Sequence, residues 1–161
     1  MPDGTEVKVG FSVAFVSHSA APWLGLFACQ HFMPEYYEQP QYLEHFNGAL
    51  KILDVWVVGE TAQDDLAEFI ATVSGATGVK ENTDRTVFQT RTGTIVLARP
   101  KVFETTFGVS SPHLGDGPHL AGFTVGCRSL DPLASIDLAK NGDRIVLAPA
   151  KNFGTAISFV A

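Results

Sequence analysis

The sequence predicts an α+β fold in which two similar units build one curved, barrel-like mixed sheet around a cleft. A strand pattern, a helix pattern and a hairpin pattern follow one another in residues 50–99 and again in residues 119–161. Such internal repetition outweighs any single motif in assigning a fold. A crossover helix must lie on one face of its sheet. With a β-hairpin in front, about eight strands and two helices result, enough for a nearly closed sheet.

The chain divides by composition into four segments. Residues 1–49 hold the N-terminal hairpin and a loop rich in aromatic and histidine side chains, and residues 50–107 form the first unit. A linker rich in Gly, Pro and Ser, residues 108–118, leads to the second unit, residues 119–161. A chain of 161 residues suits one domain or two fused half-domains.

The N-terminal hairpin is predicted from two strand patterns. Apolar residues alternate in part along residues 7–16, and residues 23–31 form a second strand-like run after a turn. The following stretch has no sustained period and contains Pro34 and Pro40, which predicts a structured loop closed by a turn at Asn47-Gly48.

The first unit begins with residues 50–58, whose β-branched and aromatic content predicts a strand covered on both faces. Thr61 is the predicted N-cap of a helix, and Gly75 follows its last turn. Residues 86–91 and 94–99 are the predicted hairpin, with Pro100 ending the second strand. The apolar stripe of the helix consists of Leu66, Phe69, Ile70 and Val73.

In the second unit, residues 120–127 are the predicted first strand. Asp131-Pro132 is a favourable helix start, with proline at the first helical position. The helix predicted there carries a modest stripe and ends at Asn141-Gly142. Two strands, residues 143–148 and 155–160, close the unit. The stripe consists of Leu133, Ile136 and Ala139.

Composition narrows the function classes. The net charge is −6 and lysine and arginine are nowhere clustered, so nucleic acid is not an expected partner. No run is long and apolar enough for a membrane helix, and the N-terminus lacks a signal-peptide pattern, which predicts a soluble, cytoplasmic protein. Cys29 and Cys127 are predicted to be buried free thiols. Phosphate-cradling glycine loops and serine-nucleophile motifs are absent from the sequence.

Residues 27–49 hold the densest group of polar and aromatic side chains beside the predicted strands. His31 and His45 are the candidate catalytic or metal-binding residues, since imidazole both binds divalent metals and transfers protons near neutral pH. Alternatively, His31 bonds to backbone at a strand end and His45 caps the turn. The candidate ligand-binding residues are Gln30, Asn47, Tyr36 and Trp23. The two aromatic residues have a second interpretation, as core or interface residues.

The same stretch carries a family resemblance. Cys29-Gln30-His31, then Pro34-Glu35, then His45-Phe46-Asn47-Gly48-Ala49 leading into a strand, resembles the glyoxalase-like branch of the vicinal oxygen chelate superfamily. Glyoxalase I, extradiol dioxygenases and bleomycin-resistance proteins belong to that superfamily. The resemblance implies a protein that acts on or binds a small oxygenated metabolite in the cleft between the repeats. Whether it is an enzyme stays open. If it is, a lyase, isomerase or dioxygenase is implied; the alternative is a metal-free module that sequesters its ligand.

The resemblance also implies positions for a divalent metal on the strands. By alignment these positions fall near Asp54, Val96, Gly122 and Ser158. Three of the four are not strong metal ligands, so the presence and identity of a cofactor stay open. A homodimer is expected, because the N-terminal hairpin, which has no helix of its own, leaves an apolar face or edge to cover.

Overall fold

The computed structural model describes residues 4–60, 63–112 and 117–161 as an α+β fold with one large sheet and a separate hairpin. The strands are β1 (Gly10–His18), β2 (Ala21–Phe32), β3 (Ala49–Val58), β4 (Gly78–Asn82), β5 (Arg85–Gln89), β6 (Thr94–Ala98), β7 (His119–Cys127), β8 (Ala139–Asn141), β9 (Arg144–Leu147) and β10 (Ala156–Val160). The α-helices are α1 (Pro40–Leu43), α2 (Gln63–Ser74) and α3 (Pro100–Phe107). Within these residues no helix is long and apolar enough to cross a membrane.

The large sheet has eight strands in the order β4-β5-β6-β3-β7-β10-β9-β8. Its centre is the antiparallel pair of β3 and β7. On one side β3 runs parallel to β6, and on the other β7 runs parallel to β10; the remaining neighbours are antiparallel. The β1–β2 hairpin forms a sheet of its own.

One face of the sheet is covered by α3. Phe103 and Phe107 are fully buried there and stack on each other, with ring centroids 4.3 Å apart. The indole of Trp56 on β3 meets both rings edge-on, at 6.1 and 5.5 Å. Aromatic pairs in such geometries add to the free energy of burial. This aromatic cluster anchors the helix to the sheet.

The opposite face is covered by α2 and by the start of β2. Leu66 and Ile70 of α2 are buried against Val57 of β3, as the predicted helical stripe requires. Ala21 and Leu24 of β2 join the same core. The predicted end of this helix is confirmed, because Gly75 adopts a positive φ of 68° and donates its N–H to the carbonyl of Ala71. The predicted cap at Thr61 lies outside the described residues.

The prediction of a helix after Asp131-Pro132 is wrong. Asp131–Leu133 forms a single 3₁₀ turn, and Ala139–Asn141 is strand β8. Only Leu133 of the predicted stripe is buried, while Ile136 lies half-exposed. One apolar contact does not offset the entropy of ordering a helix, so the segment stays irregular until it pairs with β9.

A helix that was not predicted, α3, begins at Pro100, where the sequence predicted only the end of a strand. Pro100 occupies the first helical position, where its missing N–H costs nothing. Gly108, at φ 70°, terminates the helix and donates to the carbonyl of Glu104. The short strand β4 was also absent from the prediction.

The two thiols differ in exposure. Cys127 is buried, and desolvation raises the pKa of its thiol above the ordinary value. Cys29 is exposed on the hairpin, contrary to the prediction that both are buried. It lies beyond the part of β2 that packs against α2, so nothing in the described chain covers it.

Candidate functional site

Strand register places five polar residues in one line across the face of the sheet that also carries α3. Directly opposed residues of neighbouring strands point to the same face. The opposed pairs are Gln89 with Thr94, Thr94 with Asp54, Asp54 with Thr124, and Thr124 with Ser158. We refer to Gln89, Thr94, Asp54, Thr124 and Ser158 as the polar row. It crosses the central pair of strands, where the two halves of the sheet meet.

Arg144 lies at one end of the polar row. It precedes Val146, which is opposite Ser158, by two residues on β9 and therefore points to the same face. Its Nη1 donates to the hydroxyl oxygens of Thr124, at 3.2 Å, and Ser158, at 3.0 Å. Within the described parts of the chain no carboxylate lies within 4 Å of this guanidinium. Arg144 is half-buried, so among the described residues it brings a positive charge with no directly paired carboxylate to this end of the polar row.

Asp54 is the one acid of the polar row. The indole N–H of Trp56, two residues further along β3, donates to its Oδ1 at 2.6 Å. This charge-assisted bond holds the carboxylate in one orientation. Thr94, the neighbour of Asp54 on β6, donates its hydroxyl to the backbone carbonyl of Leu53 at 3.2 Å. The row therefore combines an oriented acceptor, hydroxyl groups and a cation.

The next line of residues along the strands is apolar and fully covered. Trp56 is opposite Val96 on one side and Gly122 on the other. A Cβ added at Gly122 would lie 3.1 Å from Cε2 of Phe103 and 2.8 Å from the carbonyl oxygen of Ala156, so only glycine fits. Phe103 thus fills the space above this line. Within the polar row, Thr124 and Ser158 are also buried, at 1% and 0% exposure, whereas Asp54 and Thr94 are half-buried and Gln89 is exposed.

The register also bears on metal binding. Two of the four positions that the family resemblance assigns to metal ligands, Val96 and Gly122, lie in the apolar core. The residues level with Asp54 and Ser158 are Thr94 and Thr124 instead. One carboxylate and three neutral hydroxyls do not suit a transition metal, which takes imidazole, thiolate or several carboxylates. In the described ranges, no group of three or more His, Cys, Asp or Glu residues is placed to hold a metal ion.

His31 and His45 lie elsewhere, in the hairpin and the loop that follows it. His31 is exposed near the end of β2, and its ring contacts those of Phe11 and Tyr37 at centroid distances of 6.3 and 5.1 Å. His45 is exposed and lines a depression of about 370 Å³ that also contains Arg128. The structure gives no hydrogen bond or ion pair between the two histidines, and their assignment as catalytic or metal-binding residues remains a prediction.

The predicted ligand-binding residues have separate surroundings. The side-chain oxygen of Asn47 accepts the N–H of Ala49 at 3.1 Å, which shapes the turn into β3. Gln30 is exposed on β2, and Tyr36 ends a 3₁₀ turn at Pro34–Tyr36. Trp23 lies on the rim of a cavity on the opposite face of the sheet. A role in ligand binding stays a prediction for all four.

Tyr37 completes the polar chemistry of the hairpin loop. Its hydroxyl donates to the backbone carbonyl of Phe32 at 3.2 Å. Desolvation raises the pKa of this phenol, and the nearby Cys29, Glu38 and Glu35 raise it further because they disfavour a second negative charge. Tyr37 is therefore a protonated hydrogen-bond donor near neutral pH, which ties the loop to the end of β2.

Gln89, Thr94 and Thr124 of the polar row were not predicted from the sequence as site residues, and neither was Arg144. Thr124 could have been noticed in the sequence, because a polar residue inside an otherwise apolar strand needs a hydrogen-bond partner when it is buried. Arg144 gave no such signal, since a charged residue at the start of a short strand is ordinary. Only the pairing of β9 with β10 shows where it points.

Comparisons with known proteins identify a shared fold. No protein-family model matches the chain, and no curated protein matches it. A hypothetical protein from Staphylococcus aureus superposes with a TM-score of 0.61 at 10% identity, over 97% of this chain and 51% of that one. This likeness shows the fold alone. The present chain spans about half the length of the Staphylococcus aureus protein.

Two further solved structures resemble the chain less closely. Methylmalonyl-CoA epimerase from Mycobacterium tuberculosis has a TM-score of 0.49 at 12% identity, over 76% of this chain and 94% of that one. A selenomethionine methylmalonyl-CoA epimerase has a TM-score of 0.43 at 9% identity, over 71% and 97%. At TM-scores below 0.5, these two resemblances identify neither a fold nor a function for this chain.

Proposed function

We propose that this chain is a glyoxalase-like protein of the vicinal oxygen chelate type that binds a small oxygenated molecule bearing a carboxylate, without a metal. The ligand lies on the polar row, in a cleft where two repeated units meet. In this proposal β3, α2 and β4–β6 form the first unit, and β7–β10 form the second, which has no helix between its first two strands. Support comes from the matching strand order on the two sides of the sheet and from the sequence motifs of residues 29–49.

The position of Arg144, held by two hydroxyls at the end of the polar row, is the main support for this proposal. A guanidinium presents five N–H donors in a planar fork and pairs with carboxylates through two parallel hydrogen bonds. The hydroxyls of Thr124 and Ser158 hold its Nη1, and within the described ranges no hydrogen bond engages Nη2 or Nε, which in this proposal bind the acid. Partial burial lowers the local dielectric, which strengthens the pairing. The arginine is thereby oriented in advance, and little entropy is lost when the ligand binds.

The other members of the polar row indicate which further polar groups the ligand should carry. Asp54 is an oriented acceptor, so it favours a ligand with a hydroxyl or amine group facing β3. Thr94 and Gln89 add neutral polar groups at the more exposed end. The wall formed by Trp56 and Phe103 limits the size of the molecule on the α3 side. The proposed ligand is therefore a small hydroxy or amino acid rather than a large cofactor.

The first test is a thermal-shift screen of small hydroxy and amino carboxylic acids in the presence of EDTA. At least one acid should raise the melting temperature, because a ligand at a hundred times its Kd stabilises the folded state by about 2.7 kcal/mol. For a chain of this length that corresponds to roughly 5–10 °C. The uncharged amide of each acid is the control and should give almost no shift.

Two outcomes would overturn the proposal. Amides that stabilise the protein as well as their acids would show that Arg144 does not recognise the ligand. A stabilisation that appears only when nickel, iron, manganese or zinc replaces EDTA would restore the metal-dependent enzyme with His31 and His45 as ligands.

A homodimer remains part of this proposal. Phe15 and Phe27 face each other across the β1–β2 hairpin, with ring centroids 5.7 Å apart, and both are largely exposed. Phe11 lies on the same face of the hairpin, and its side chain is also largely exposed to solvent. A group of exposed aromatic side chains on one face of a hairpin is typical of a surface that another protein chain covers.

A further inference from the structure

A concave apolar groove lies on the face of the sheet opposite the polar row. Its walls come from three elements: Trp23 and Phe27 of β2, Val73 of α2, and Val57, Ile95 and Leu120 of the sheet. The cavity has a volume of about 530 Å³, within the range of roughly 300–1,000 Å³ that is usual for small-molecule sites. Val57 and Trp56 are consecutive residues of β3 that point to opposite faces, so the groove and the polar row are separate sites.

The groove has a floor and a rim. Val57 and Ile70, on its floor, are each only 2% exposed, whereas Trp23 and Leu120, on its rim, are 72% and 44% exposed. This gradient describes a concave site rather than a flat patch. The groove is open to solvent at Leu120.

The described residues of the lining offer no unengaged polar group to recognise a polar ligand. Apart from the indole of Trp23 on the rim, Ser74 is the only one of them with a polar side chain. The hydroxyl of Ser74 already donates to the carbonyl of Ile70 at 2.6 Å and accepts the N–H of Ala76 at 3.3 Å. In the part of the chain that the structure describes, no charged side chain lines the groove. A charged molecule would lose its hydration here without compensation, while an apolar one gains from burial in proportion to its area.

We propose that this groove is a second binding site, which takes a small neutral aromatic molecule. The site is independent of the proposed carboxylate site and holds even if the polar row binds nothing. Trp23 and Phe27 supply aromatic surface at its rim, and the branched side chains of the sheet supply its floor.

The probe for this site is N-phenyl-1-naphthylamine, a neutral dye whose fluorescence rises in apolar surroundings. The wild-type chain should bind it saturably. Leu120→Asp should weaken binding by about tenfold or more, because a carboxylate on the rim must lose water when the dye binds. Val79→Asp is the matched control: Val79 is a 63% exposed strand residue outside the groove, and this variant should bind within about twofold of wild type.

A second variant tests whether a loss of dye binding comes from misfolding rather than from the altered groove. Leu120→Trp keeps the rim apolar and narrows the groove, so it should weaken dye binding while the circular dichroism spectrum and the melting temperature stay close to wild type. Adding an acid that occupies the polar row should leave dye binding unchanged. Linear, non-saturable dye binding would overturn the proposal. So would equal losses in the Leu120 and Val79 variants, or wild-type affinity in both Leu120 variants.

Discussion

Replacing Phe103 with alanine is expected to lower the free energy of unfolding by about 3–5 kcal/mol, the usual cost of truncating a buried phenylalanine. Phe103 is fully buried, stacks on Phe107 and meets Trp56 edge-on. It also covers Gly122, where no side chain can fill the space that the ring leaves. Urea unfolding followed by circular dichroism measures the change as a lower transition midpoint.

Phe153→Ala is the matched control for this substitution. Phe153 is fully exposed in the turn before β10, so its truncation should change the free energy of unfolding by no more than about 0.5 kcal/mol. If the two variants unfold at the same urea concentration, the aromatic cluster of α3 and Trp56 does not anchor the sheet face as described.

Arg144→Met is expected to weaken binding of the small acid found in the thermal-shift screen by about tenfold to a hundredfold. Losing one hydrogen bond to a charged group costs roughly 1.5–3 kcal/mol, and 1.4 kcal/mol corresponds to a factor of ten in Kd, so the stated range is that of one lost bond and the loss of both bonds would exceed it. Methionine keeps much of the side-chain length but loses the guanidinium. Isothermal titration calorimetry of wild type and variant measures the ratio of the two dissociation constants.

Two further arginine variants make this measurement specific. Arg128→Met removes an exposed arginine beside His45, away from the polar row, and should leave acid binding unchanged. Arg144→Lys keeps the charge but not the planar fork, so its affinity should fall between those of wild type and Arg144→Met. Equal losses in the Arg128 and Arg144 methionine variants would mean that net charge, rather than a specific pairing, governs binding.

Much of the fold was predictable because its strands and α2 carry strong local patterns. The stripe containing Leu66 and Ile70 places both residues on the face that the structure buries, whereas the period-2 alternation of the first hairpin predicts the strand correctly but not its burial, since Phe11 and Phe15 are largely exposed. Pro100 was ambiguous, because proline both ends strands and begins helices. What decides for a helix is the burial of Phe103 and Phe107 against Trp56, a contact distant in sequence.

The site was less predictable, since it depends on the register between strands far apart in the chain. Asp54 and Ser158 were named by the resemblance, but their neighbours in the row were not. The pairing of β3 with β7 shifts between Ile52 and Asp54 and again beyond Trp56, and a shift of this kind is invisible in either strand alone. Thr124 meets Asp54 only because of where these irregularities fall.

The most direct test of metal-free carboxylate binding on the polar row is an NMR titration of the arginine Nε–Hε signals with the acid, in EDTA, using Arg144→Met to assign the signal of Arg144. We expect the Arg144 signal to shift and saturate with the acid, while the signal of Arg128 and the ring signals of His31 and His45 stay in place. An unmoved Arg144 signal, with His31 and His45 shifting only once a divalent metal is added, would contradict this proposal.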